Sequence, residues 1–205
     1  MQTVQRPPLH TLAGFRRFTV NEYHRMIEIG LLTENDRLEL LDGFLVEKMS
    51  QNPRHSGKIA RTMDILRPLI PSVWMDRQQV PLILSGSVPE PDIAIVRRDA
   101  NYYETRHPTA SDVGMLIEIS DSSLAGDRQD KCPIYARAGI RTYWIINVID
   151  RQLEVYTAPS GPAEEPSFAE RRDYHPGERV PVVLDGVEVG TVAVADLFAG
   201  WQSSN

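Results

Sequence analysis

The sequence predicts an α/β (α+β) domain, with a mixed β-sheet core flanked by helices and additional β-hairpins toward the C-terminus. Three observations lead there. Apolar, strand-like runs crowd residues 88–149, two helical patterns precede them, and a third helical pattern lies between two of the strands. At 205 residues, 41% hydrophobic and 24% charged, the chain suits a single domain with a sizeable core. Residues 1–12 read as a flexible lead and residues 13–205 as that domain.

The elements follow in order. A helix starts near Thr19, which caps it, and Glu22 stands three residues on as in a capping box. Tyr23, Met26 and Ile27 follow at helical spacing, and Gly30 ends the helix. Residues 31–36 (LLTEND) are a polar connector. In RLELLDGFLVEKM, residues 37–49, Asp42-Gly43 between apolar runs signals a type I′ hairpin. Leu38 and Leu40 share one face of its first strand, Glu39 and Leu41 the other. Residues 53–69 form a second helix with Ile59, Met63, Leu66 and Ile70 as its apolar face. Arg54, Lys58, Arg61 and Arg67 make it the most basic element, and Pro68 places its end just before that residue.

A strand within residues 73–84 pairs with one over 93–97 through a connection containing Ser85-Gly86-Ser87. Residues 115–120 are apolar on nearly both faces, as in a strand covered on both sides. A helix over 127–138 ends at Gly139, and Pro133 lies too deep in it for a regular start at Asp127. Either the regular helix begins near Asp130 or its first turn is irregular. Residues 142–148 (TYWIINV) are a buried strand, with 153–157 as hairpin partner through 149–151. Residues 158–166 read as a surface loop. The tail, 168–198, holds short strands, two of them joined at the hairpin signal Asp185-Gly186.

Composition removes several classes of function. The single cysteine, Cys132, forbids an intrachain disulfide framework and makes a reducing cytoplasm the easier reading. No run is long and apolar enough for a signal peptide or membrane helix. A net charge of −6 argues against simple coating of nucleic acid, but allows an enzyme with a local basic groove. The five histidines show no HExxH or paired spacing, and there is no P-loop or GxSxG elbow. Ser122 and Ser123 read as loop residues, Tyr143 and Trp144 as packing, and Cys132 as an inert buried thiol; His55, beside Arg54 and Lys58 at a helix start, could touch phosphate, but its plainer reading is a surface histidine.

The informative residues are acids in costly places. Asp92 stands at a strand start after Glu90-Pro91, and its plain reading is a solvated strand-edge acid. Glu118 lies between Ile117 and Ile119, where a buried carboxylate must be paired, protonated or bound to a cation. Its plain reading is a structural salt bridge. Lys131 follows on the next helix, and Glu39 either faces the same place from the hairpin or is an exposed cross-strand partner. Asp121, Asp127 and Asp130 read as turn and N-cap residues. As a set, Asp92 and Glu118 supply hard oxygen ligands suited to Mg²⁺. Such an ion polarises a phosphoryl oxygen and activates water, and a lysine beside it positions that water or offsets charge on phosphorus.

Several pieces together resemble the Uma-type restriction endonuclease family, within the PD-(D/E)XK nuclease superfamily. They are FTVNEYHRMIEIGLL, DRLELLDGFLVEKMS with His55 soon after, PEPDIAIV, LIEISDSSLAGDRQDK, YARAGIRTYWIIN and the closing VADLF. The resemblance implies a restriction-endonuclease-like mixed sheet and Mg²⁺-dependent phosphodiester hydrolysis, with Mn²⁺ as a substitute metal. Pro91-Asp92 matches the PD element, Glu118 the acid of the next motif, and Glu39 a glutamate before the first hairpin glycine that completes the metal shell. The superfamily lysine is expected two residues after the acid, where Ser120 stands, and Lys131 on the following helix takes its part. Asn147 stands where the family often has aspartate. The implied partner is DNA, with RNA as the alternative, and a homodimer would supply the two sites that cutting both strands calls for. The competing expectation is a non-catalytic nuclease-like protein that binds nucleic acid or a protein partner.

Overall fold

The computed structural model describes residues 8–12, 14–48 and 53–200. The first helix, α1 (Val20–Glu28), opens on a complete capping box. The Glu22 N–H donates to the Thr19 hydroxyl at 3.1 Å, and the Thr19 N–H donates to the Glu22 carboxylate at 2.9 Å. Strands β1 (Leu38–Leu41) and β2 (Phe44–Glu47) form the first hairpin. Asp42 (φ 49°) and Gly43 (φ 82°) both take the left-handed conformation that a type I′ turn requires. The hairpin is tied to the main body by the Val88 N–H, which donates to the Leu40 carbonyl at 2.7 Å. Helix α2 (Pro53–Leu66) stops before Pro68 and relaxes into a 3₁₀ turn, Arg67–Leu69.

The central sheet has six strands in the order β3 (Trp74–Gln78), β4 (Ile93–Arg97), β5 (Val113–Ser120), β6 (Thr142–Asn147), β7 (Gln152–Pro159) and β8 (Phe168–Tyr174). Neighbours are antiparallel except β5 and β6, which run parallel. A parallel pair needs a crossover, and helical residues supply it. The crossover begins as α3 (Leu124–Gly126), widens into a π-helical turn (Asp127–Lys131) and continues as α4 (Cys132–Arg137). Of the two starts open from the sequence, the irregular first turn is the one adopted. The helix begins earlier than expected, at Leu124, and the wide turn lies just before Pro133, the residue that has no N–H to give a regular ladder.

The two faces of the sheet bury separate cores, as strand alternation requires. Ile93, Ile95, Ile117, Ile119, Trp144 and Ile146 pack toward α2 and toward a C-terminal hairpin, β9 (Arg179–Leu184) and β10 (Val187–Ala193), followed by α5 (Val194–Leu197). Ala94, Val96, Leu116, Tyr143 and Ile145 pack toward the crossover, against Cys132, Ile134 and Tyr135. Glu118 therefore falls on the crossover side, in step with Leu116. Asp185 and Gly186 turn the C-terminal hairpin with positive φ, as their sequence signals.

Of the expected lead, residues 1–7 lie outside the described residues. Leu9–Thr11 form a 3₁₀ turn in which Leu9 is buried, and its N–H donates to Asp130 Oδ1 at 2.9 Å. Among the described residues, no helix is long and apolar enough to cross a membrane.

Candidate active site

The site is a product of strand register. Ile93 pairs with Ile117, so Asp92, one residue before β4, comes level with Glu118 in β5. The Asp92 N–H points to Glu118 Oε2 at 3.4 Å, and the Ile119 N–H donates to Asp92 Oδ2 at 2.8 Å. Asp92 is thus a buried carboxylate, 8% exposed, rather than a solvated edge acid.

The crossover brings the cation. Lys131 Nζ lies 2.9 Å from Glu118 Oε1, 3.7 Å from Asp127 Oδ1 and 3.8 Å from Glu39 Oε1. Tyr135, one turn further on, donates its hydroxyl to Glu118 Oε1 at 2.9 Å. Ser120, at the place where the lysine was expected, donates to Asp127 Oδ2 at 2.6 Å. The first hairpin delivers Glu39, whose Oε2 accepts the Glu90 N–H at 3.1 Å. All four residues singled out in the sequence, Asp92, Glu118, Lys131 and Glu39, converge here.

Two readings need correction. His55 is not a surface histidine, since its Nε2 lies 2.7 Å from Asp92 Oδ1 and its ring is half-buried. It stands four residues before Ile59, on the inward stripe of α2, and that spacing was the available signal. Asp127 and Asp130 are not N-caps. Both are buried inside the π-helical turn, Asp127 facing Lys131 and Asp130 holding Leu9. Tyr143 and Trp144 are fully buried, as expected of packing residues. Burial also pushes the Cys132 thiol up to about 12, so it is not a ready nucleophile.

Charge is out of balance. Burial raises the Glu118 carboxyl well above its usual range, and Asp127 and Asp92 add to the rise against the pull of Lys131. Burial likewise raises Glu39 and Asp127, although Lys131 opposes both shifts. Burial opposes the charge on Lys131 too, but Glu118, Glu39, Tyr135 and Asp127 lift it well above the ordinary lysine value, so it stays an ammonium. Glu39, Asp92, Glu118 and Asp127 thus face Lys131 and the His55 imidazole, with Lys48 as a smaller influence on Glu39. An excess of buried carboxylate oxygen is the donor chemistry a hard divalent cation satisfies. Among the described residues, no three His, Cys, Asp or Glu side chains already converge as a metal cage. The oxygens turn instead to Lys131, His55 and backbone N–H groups.

A further buried acid, Glu154 of β7, anchors the other side of the π-helical turn. It accepts both prongs of the Arg128 guanidinium, Asn147 Nδ2 at 2.8 Å and the Tyr156 hydroxyl at 2.8 Å. Asn147, without a role in the sequence reading, therefore serves this network.

The sequence profile of the Uma2 family, described as "Putative restriction endonuclease", matches residues 20–191. Among solved structures, the chain resembles one described as a putative nuclease belonging to DUF820 from Anabaena variabilis ATCC 29413. The two share 16% identity with a TM-score of 0.63, over 89% of this chain and 98% of that one, a likeness of fold. No curated protein matches the chain.

Proposed function

The chain belongs to the Uma2 family, and on that premise we propose that it is a metal-dependent DNA endonuclease that hydrolyses phosphodiester bonds. The observation that carries the reading is the β4–β5 register, which sets Asp92 beside Glu118 with the Lys131 ammonium 2.9 Å from the latter. Asp92 and Glu118 would hold Mg²⁺ or Mn²⁺, with Glu39 assisting. When bound, the ion supplies Lewis-acid polarisation of a phosphoryl oxygen and a more acidic water. Lys131, held charged, donates hydrogen bonds to the attacking water or to the oxygens of the five-coordinate phosphorus, rather than acting as a base. His55 steadies Asp92, and Tyr135 steadies Glu118.

The Lys131–Glu118 pair also favours a second reading, a nuclease-like protein that binds without cutting. In it, the lysine is a permanent counter-ion, and the acids never open to a metal. Cleavage of supercoiled plasmid with Mg²⁺ and then Mn²⁺, beside Asp92→Ala and Glu118→Ala, decides between them. Cutting lost in both variants supports the endonuclease. No cutting by folded protein, with no metal-induced thermal shift, supports the binding protein.

A further inference from the structure

The same end of the sheet carries a cavity that the acids do not use. It has a volume of about 370 Å³ and lies between α2 and the C-terminal segment. Arg54, Lys58 and Arg61 line it at the i, i+4, i+7 spacing of one helix face, and Ile146, Val148 and Leu197 give it an apolar floor. Arg67, the remaining cation of this helix and turn, is turned away into a two-pronged pair with Asp76 at 3.2 and 3.0 Å. The cavity is joined to the candidate site by short paths. His55, next in sequence to Arg54, touches Asp92. Val148 donates its N–H at 2.9 Å to the carbonyl of Ser120, the residue after the Ile119 that binds Asp92.

Gly57 leaves one stretch of the cavity wall without a side chain. It sits within α2 and lines the cavity. Among the described residues, nothing lies within 4 Å of the position a Cβ would take there, and no left-handed φ calls for glycine. A helix-interior glycine costs about 1 kcal/mol against alanine. Among the described residues, no packing offsets that cost.

From these observations we propose that the cavity is a subsite for one unpaired nucleotide of a DNA strand, whose phosphates lie along Arg54, Lys58 and Arg61 and whose scissile phosphodiester reaches Asp92 and Glu118. A cationic wall alone would suit any phosphate backbone. A concave, apolar floor behind that wall suits a nucleotide whose sugar and base have left the duplex stack, because paired bases cannot enter it. The substrate class is therefore single-stranded, frayed or branched DNA. This deepens the endonuclease reading and rests on it for the cutting step only.

The test separates binding from chemistry. Affinity of the full chain for a fluorescein-labelled oligothymidylate, a blunt duplex of equal length and an oligouridylate is measured by anisotropy without divalent metal. The wild type is compared with Arg61→Ala and Gly57→Leu. The oligothymidylate should bind best, about tenfold more weakly in Arg61→Ala and Gly57→Leu at low salt. Gly57→Leu should melt no lower than the wild type, which excludes misfolding as the cause of lost binding. Oligothymidylate binding indifferent to Gly57→Leu and Arg61→Ala would overturn the subsite, as would equal binding of the duplex. Tighter binding of the oligouridylate would overturn its assignment to DNA. A protein that binds in this pattern but never cuts with Mg²⁺ or Mn²⁺ removes the endonuclease and leaves the subsite. One that cuts plasmid equally well as Gly57→Leu removes the subsite alone.

Discussion

Replacing Lys131 with methionine tests the electrostatic account of the site most directly. Methionine keeps much of the packing volume and removes the ammonium from Glu118, Glu39 and Asp127. Breaking a buried pair typically costs about 3–5 kcal/mol when the remaining charge stays buried and ionised. The orphaned carboxyls have a way out, since burial already favours their protonated forms. The folded state then holds more protons than the unfolded state near neutral pH, so the sign is fixed: stability rises as pH falls. Each extra proton held contributes a slope of roughly 1.4 kcal/mol per pH unit. Lys131→Met should therefore lose about 3 kcal/mol near pH 8 and recover a large part of that by about pH 6. Urea unfolding of both proteins at the two pH values reads this out as midpoint shifts at constant slope. A loss under about 1 kcal/mol near pH 8, or a loss that does not change with pH, would refute the picture of an ammonium holding buried carboxylates apart.

Three other outcomes follow from the same structure. The wild type should itself gain stability as pH falls from neutral toward the ordinary carboxylate range, because the folded-state values of Glu118, Glu39 and Asp127 are raised; Glu118→Gln should flatten that rise in a thermal-melt series. Glu154→Ala, which strips the acceptor from Arg128, Asn147 and Tyr156, should cost about 3 kcal/mol by denaturant titration. Gly114→Ala should cost about 1–3 kcal/mol, because its Cβ would stand 2.8 Å from the Trp74 ring in a filled core; an unchanged melting temperature would show that this ring moves freely.

Wherever a signal is local, the sequence carries it. Thr19 and Glu22 mark a helix start, Asp42-Gly43 and Asp185-Gly186 mark hairpins, and Pro68 ends a helix, because each acts through backbone geometry within a few residues. The acid in PEPDIAIV and the acid inside MLIEIS were legible for a related reason. Asp92 stands at the mouth of an apolar strand and Glu118 within one, and a buried carboxylate demands an explanation whatever the fold. Those two residues, with Lys131 and Glu39, could be named from the chain alone.

What joins them could not. Asp92 comes level with Glu118 only because β4 and β5 pair with Ile93 opposite Ile117, and a shift of one residue would turn either acid to the other face. Lys131 reaches Glu118 from a π-helical turn, a local widening that Pro133 hinted at without saying where it would fall. His55, Asp127 and Tyr135 joined the site, and Glu154 gathered its own donors, only once the layers were stacked. The physical reason is common to all of these. A residue's own conformation depends on its neighbours along the chain, but its partners in a low-dielectric interior are chosen by sheet register and layer packing, which are properties of the whole fold.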